Sequence, residues 1–152
     1  MKVLDFLSGD SVTIDLKSAT KKDAVAELCQ LLQSTSKIKD ANTVLDALMQ
    51  REKLGSTGIG QGVAIPHAKS DSSERLVGAL GISKKGVNFE SLDGEPVNLI
   101  FLLVAPPDSA GPHLKALARI SRLLKDKFFR QALKEAKSLE EVQKIIQEED
   151  EY

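Results

Sequence analysis

The sequence is short of several things, and each shortage closes off a class of function. It has one cysteine, Cys29, so no internal disulfide can form, which is the pattern a reducing compartment favours. It has no surplus of either charge: 21 lysines and arginines stand against 22 aspartates and glutamates, a net charge of -1. No global field is available to hold a nucleic-acid backbone, so nucleic acid is not the expected partner. No apolar run approaches the ~20 residues that span a bilayer. The N-terminal Met1-Lys2-Val3-Leu4-Asp5 is too acidic and too poor in apolar residues for a secretory signal. A cytoplasmic location without direct membrane insertion is the expectation. No internal repeat and no linker interrupt the chain. At 152 residues, 41% apolar and 28% charged, it suits one domain, residues 1–152, around one sizeable core.

What is present reads as alternating strands and helices. A short N-terminal helix is followed by a strand in which Val12, Ile14 and Leu16 alternate with polar residues. Two amphipathic helices come next. The first puts Ala24, Leu28, Leu31 and Leu32 on one face, with Ser18 or Thr20 as its cap. The second starts near Asp40, presents Val44, Leu45, Leu48 and Met49, and ends between Arg51 and Leu54, where Gly55 offers a helix stop. Val63-Ala64-Ile65 reads as a short strand, 76–83 and 97–104 as longer ones, and Val87 and Phe89 as a further short one, with a turn at Asp93-Gly94. After Pro106-Pro107 the pattern is helical to the end. Ser138 opens a last helix with Glu141 as its capping-box partner. This order fits an α/β layer fold with helices covering a mixed sheet.

Chemistry is concentrated in one stretch. The chain has two histidines, His67 and His113, each beside a break between elements, where working groups tend to sit on a rigid scaffold. A free imidazole, with a pKa of about 6.5, is largely neutral at pH 7 and can attack phosphorus through one ring nitrogen without a separate strong base. A group transferred in this way needs donors and a fixed positive charge around its oxygens. Residues 51–67 hold those parts. Arg51 has a planar donor fork, Ser56 and Thr57 have hydroxyls, and Gly58 and Gly60 lie in a run of four glycines in eight residues that allows an anion-binding nest. Pro66 fixes φ just before His67. The duller readings are that Arg51 complements a helix dipole, that Ser56 and Thr57 are turn residues, and that His113 merely begins a helix. A cationic His113 there would oppose the dipole, which favours its neutral form.

Other motifs fail on detail. A nucleotide phosphate loop needs Lys and Ser or Thr after its second glycine, but Gly60 is followed by Gln61 and Gly62. A dinucleotide fingerprint fails because Val63 stands where the third glycine belongs. Two histidines without a third ligand make no zinc site, and Cys29 falls beside the apolar stripe of a helix, where core packing is the simplest reading.

The string from Arg51-Glu52 through Ser56-Thr57-Gly58-Ile59-Gly60-Gln61-Gly62-Val63-Ala64-Ile65-Pro66-His67 resembles the signature of enzyme IIA domains of the bacterial phosphotransferase system, in the fructose/mannitol/nitrogen class. The similarity extends through Gly86 to Gly94 and from His113 to Asp126. It implies a mixed β-sheet flanked by helices on both sides, no metal and no organic cofactor. It also implies a phosphohistidine relay. A small histidine-phosphorylated (HPr-like) carrier donates to His67, Arg51 neutralises the phosphoryl oxygens, His113 donates a hydrogen bond, and Ser56 or Thr57 lines the pocket. The acceptor is a IIB cysteine in sugar-transporting members, or the phosphorylation state governs binding to regulated targets in the nitrogen branch. The run Arg51-Glu52-Lys53-Leu54-Gly55 is more similar to the nitrogen branch. A small-molecule sensing domain without phosphotransfer is the remaining class. For the switch reading, an apolar surface of Ile59, Val63 and Ile65 is expected to rim the pocket and dock partners.

Overall fold

Residues 1–151 are described by a computed structural model. A single 3-10 turn at Val3–Asp5 leads into strand β1 (Leu7–Thr13), helices α1 (Lys21–Ser34) and α2 (Ala41–Lys53), and three short strands, β2 (Gly58–Gly60), β3 (Val63–Ala64) and β4 (His67–Lys69). Two long strands follow, β5 (Val77–Val87) and β6 (Val97–Ala105), and then helices α3 (Ala110–Leu124), α4 (Lys127–Glu135) and α5 (Leu139–Glu149). The strands form one mixed sheet in the order β1-β5-β6-β3-β2, with β4 also paired to β6. β1 runs parallel to β5, and β3 and β4 parallel to β6, while β5 with β6 and β2 with β3 are antiparallel.

From Leu99 to Ala105 β6 is apolar, because both of its faces are covered there. Leu99, Phe101 and Leu103 enter a core shared with α3, α4 and α5, including Ile120, Phe129, Leu133 and Ile146. Ile100, Leu102 and Val104 enter a second core with Leu28, Leu32, Val44 and Leu48 of α1 and α2. Helices therefore flank both sides of a mixed sheet, the α/β architecture expected. The helix starts follow the side chains that satisfy their free N–H groups. Thr20 accepts from Asp23 N at 3.4 Å, Asp40 from Asn42 N at 3.0 Å, and Ser138 from Glu141 N at 3.1 Å, contacts typically worth about 1 kcal/mol each. The Glu141 carboxylate reaches the N–H of Lys137, at 2.7 Å, rather than that of Ser138, so the expected reciprocal box is displaced by one residue.

Three expectations shift. The N-terminal helix is only the 3-10 turn, and β1 begins at Leu7 and stops at Thr13, short of Ile14 and Leu16. Leu16 instead drops into the α1/α2 core, its N–H bonded to Ile82 O at 3.0 Å. Val87 does not belong to a separate strand. Lys84-Lys85-Gly86, which looks like a break, is a bulge inside β5: the register shifts between Ile82 and Val87, Gly86 has φ +92°, and its N–H is taken by Ser83 Oγ at 3.0 Å. Phe89 lies beyond the strand and is fully buried.

The chain ends are tied together by Asp150, whose carboxylate accepts from Val3 N and from Arg119 Nε, both at 2.5 Å. Asp150 is buried while Arg119 is partly exposed. Removing one member leaves a buried donor and a guanidinium without their acceptor, so Asp150→Ala is expected to lower the unfolding free energy by about 3 kcal/mol in a denaturant titration. A loss below about 0.5 kcal/mol, the scale of an ordinary surface change, would show that the ends are held by packing alone.

Candidate functional site

The site grows from a strand that a proline interrupts. β3 and β4 lie against the same edge of β6 in one continuous register: Val63 faces Leu99, Ala64 faces Ile100, His67 faces Leu103 and Lys69 faces Ala105. Between them, Pro66 has no N–H to give, but its carbonyl accepts from Leu103 N at 3.0 Å, which keeps the strand in register across the gap. Alternation then decides where the side chains go. Val63 and Ile65 enter the core beneath α3, α4 and α5, and Ala68 packs toward α1 and α2. His67 therefore emerges on the α3 side, half-buried, at the start of a strand bordered by β6 alone.

His67 Nδ1 is 2.7 Å from the carbonyl oxygen of Ile65. A carbonyl only accepts, so Nδ1 carries the proton and donates it, and in the neutral ring the lone pair belongs to Nε2. His113, in the first turn of α3, is brought beside it, with ring centroids 5.7 Å apart and planes at 74°. His113 is buried, and among the described residues its Nε2 has no hydrogen-bond partner. Burial first, then the nearby His67 and Lys69, push its pKa below the ordinary imidazole value. The neutral His113 expected from its place at a helix start is thus reinforced by its surroundings. No hydrogen bond joins the two rings, and a buried ring nitrogen left unpaired typically costs about 1–3 kcal/mol.

The remaining expected residues divide. Arg51 lies in the last turn of α2, which packs against β4. Its Nη1 donates to Gly55 O at 2.9 Å, and among the described residues this is the guanidinium's one hydrogen bond. Ser56 Oγ donates to Phe89 O at 3.3 Å and accepts from Gly58 N at 3.0 Å. Thr57 is buried, its N–H donating to Glu52 Oε1 at 3.1 Å and its hydroxyl to Glu52 Oε2. The backbone nest drawn from the glycines does not match this geometry. The N–H groups of Thr57, Gly58 and Gln61 are already taken by Glu52, Ser56 and Asp93. Gly58 and Gly60 serve the β2–β3 hairpin: a Cβ on Gly58 would collide with Ser91, and Gly60, at φ +98°, lies against Asp93.

The expected docking surface also needs correction. Ile59 is 53% exposed, but Val63 and Ile65 are 1% and 4% exposed, because both point inward from the same strand. Cys29 is fully buried, and burial pushes its thiol up to about 12, so its role is core packing. Sequence reasoning missed the Ile65 carbonyl, which has no residue signature, and gave no role to Glu52. It also missed Lys69, which shares the face of His67 two residues along β4; a strand read past Pro66 would have found it.

This architecture defines a class: a mixed-sheet α/β domain that presents, at a strand edge, one imidazole with a free ring nitrogen beside a second, neutral imidazole. The comparisons give the family. Residues 5–149 match the model of "Phosphoenolpyruvate-dependent sugar phosphotransferase system, EIIA 2", and the chain belongs to that family, a phosphotransferase component that acts through phosphohistidine. It is 37% identical over 146 residues to a nitrogen regulatory protein of Bradyrhizobium diazoefficiens, covering 96% of this chain and 95% of that one. It is also 37% identical over 150 residues to the fructose-specific EIIABC component of Bacillus subtilis, spanning 99% of this chain but only 24% of that protein. Among solved structures, the nitrogen regulatory protein IIA-Ntr of Neisseria meningitidis superimposes with a TM-score of 0.86 at 36% identity, covering 93% of this chain and 97% of that one. The mannitol IIA of Escherichia coli shares the fold, with a TM-score of 0.79 at 20% identity over 91% of this chain and 97% of that one. Among the described residues no helix is long and apolar enough to cross a membrane.

The electrostatics of His113 make a pH prediction. Its folded-state pKa lies below the unfolded value of about 6.5, so the unfolded chain binds the proton first. Its contribution to stability is therefore complete above about pH 6.5 and falls as pH drops through that value toward the depressed midpoint. An NMR titration should find the His113 midpoint below that of a free imidazole, and Lys69→Gln should raise it. A midpoint at or above about 6.5 would contradict the assigned causes.

Proposed function

We propose that His67 is the residue that carries the phosphoryl group, on Nε2, in transit between two proteins. The observation that carries this reading is the Nδ1–H bond to the Ile65 carbonyl at 2.7 Å, which supports Nε2 as the nitrogen left to attack. A phosphohistidine on an HPr-like carrier presents phosphorus to Nε2. The new N–P bond forms as the donor's N–P bond breaks, and the donor ring departs with the electron pair. Positive charge builds on the His67 ring, and the Nδ1–H bond, becoming charge-assisted, strengthens. The transition state is loose, so holding its oxygens matters more than pushing the nucleophile. His113 Nε2, carrying its hydrogen, supplies a preorganised donor to one of those oxygens at no added desolvation cost, because it is already buried and unpaired. Arg51 and Lys69 supply positive charge. Ser56, Thr57, Gly58 and Gly60 shape the adjoining loop, and Thr57 acts through its backbone connections rather than as a phosphate ligand.

The partner protein contacts exposed apolar side chains, Ile59 on β2 and Leu114 next to His113. We favour a nitrogen-regulatory role, in which the added charge of about -1.5 to -2 changes which target binds. This is supported by the 36% identical IIA-Ntr structure and by the relative matched over nearly its whole length. The alternative is a sugar-transport role that passes the group to a IIB cysteine, in line with the fructose-specific relative and with a mannitol IIA of Escherichia coli solved in complex with phosphorylated IIB. Both use the same chemistry at His67 and place the protein in the cytoplasm.

The test is phosphoryl transfer from phosphoenolpyruvate through the general phosphotransferase proteins. Wild type is expected to take up acid-labile label and His67→Ala none. His113→Ala should be labelled about 100- to 1000-fold more slowly, the usual scale for losing one transition-state donor. Label on His67→Ala would refute the assignment. Discharge of the phosphorylated chain by a IIB protein of the fructose or mannitol type would favour transport over regulation.

A further inference from the structure

One costly arrangement has no part in that chemistry. Lys21 Nζ is 3.1 Å from Glu52 Oε1, with side chains only 10% and 2% exposed, and the ammonium also sits 5.1 Å from the centroid of the Phe89 ring. A buried ion pair is weak evidence for stability, since well-packed apolar residues often serve as well. This one is linked to the nucleophile. Both carboxylate oxygens of Glu52 hold Thr57, Oε1 through its N–H at 3.1 Å and Oε2 through its hydroxyl. The Thr57 carbonyl accepts from Ile65 N at 3.1 Å, and the Ile65 carbonyl accepts from His67 Nδ1 at 2.7 Å. Thr57 needs such a clamp, because α2 has ended and Gly55, at φ +148°, leaves the chain direction between helix and hairpin loosely determined.

Resting on the carrier reading of His67, we propose that Lys21, Glu52 and Thr57 are positioning residues that hold the Ile65 peptide in place and so keep His67 in its Nδ1–H tautomer. Lys21 orients the carboxylate, the carboxylate fixes Thr57, and Thr57 anchors the Ile65 N–H from the β2 side while β6 holds Pro66 from the other. The Ile65 carbonyl then faces the ring with little freedom to turn. If the clamp is loosened, the ring populates the other tautomer, whose Nε2 carries the hydrogen and is not nucleophilic.

The test compares whole-chain Thr57→Val, which keeps the shape and loses the hydroxyl, with Thr57→Ser, which restores it. A second variant, Lys21→Met with Glu52→Gln, neutralises the pair without stranding a buried charge. The readouts are the nitrogen-15 shifts of the His67 ring above its titration, which report the tautomer, and the rate of phosphoryl uptake, with thermal melting to establish the fold. Thr57→Val should raise the minor tautomer severalfold and slow uptake roughly tenfold. Thr57→Ser should recover both, and the double variant should shift the tautomer in the same direction. A folded Thr57→Val whose tautomer ratio and rate match wild type overturns the proposal, as does failure of Thr57→Ser to recover the tautomer. If Thr57→Val does not fold, an unchanged tautomer in the double variant overturns it. A shifted tautomer supports positioning even where wild type takes up no phosphoryl group, the result that would sink the carrier reading alone.

Discussion

The hydrogen bond from His67 Nδ1 to the carbonyl of Ile65 is local in sequence but depends on the whole sheet. Its acceptor belongs to a peptide just before a proline, on a strand that would lose register at Pro66 if Leu103 did not reach across from β6. β6 in turn is packed on both of its faces, with Phe101 and Leu103 on one side and Leu102 and Val104 on the other. A two-sided sheet is thus a means of setting the angle of one carbonyl. The same alternation that buries Val63 and Ile65 sends His67 out toward α3. Core packing and the exposure of His67 are therefore consequences of one register, and a one-residue slip would turn the imidazole to the other face.

The second imidazole shows how the fold accepts a local cost near the chemistry. A buried nitrogen without a partner, on a ring whose protonation is opposed by burial and by two neighbours, is a poor arrangement for stability alone. Under the proposed carrier role it becomes useful when an anionic group arrives at His67, because a neutral donor that is already desolvated needs no rearrangement. Keeping His113 neutral also avoids two adjacent cations while the His67 ring gains charge. The favourable helix caps at Thr20, Asp40 and Ser138 and the tie made by Asp150 lie elsewhere in the chain and hold the fold from a distance.

Much of this was legible in the sequence because it rests on periodicity and on local chemistry. The buried run before Pro106, the caps, and the stop at Gly55 all follow from patterns within a few residues. The long motif ending at His67 drew attention to one of the two imidazoles that the fold brings side by side. What could not be read depends on distant partners. Thr57 looks like a free hydroxyl until Glu52 turns inward to meet it, with Lys21 paired to the same carboxylate. The glycine run looks like an anion nest until the turn at Ser91 and Asp93 is brought against it. Ile59, Val63 and Ile65 look equivalent until the register separates one exposed residue from two buried ones. Lys84-Lys85-Gly86 looks like a loop because a bulge has no period of its own.

The account's central claim is that one backbone carbonyl determines which nitrogen of His67 does the chemistry. Measuring phosphorus–nitrogen couplings by NMR in the nitrogen-15-labelled, phosphorylated chain tests it most directly. Coupling from phosphorus to Nε2, with Nδ1 still bearing its hydrogen, is the predicted result. A phosphoryl group on Nδ1 would require the Ile65 bond to be broken and would contradict the account.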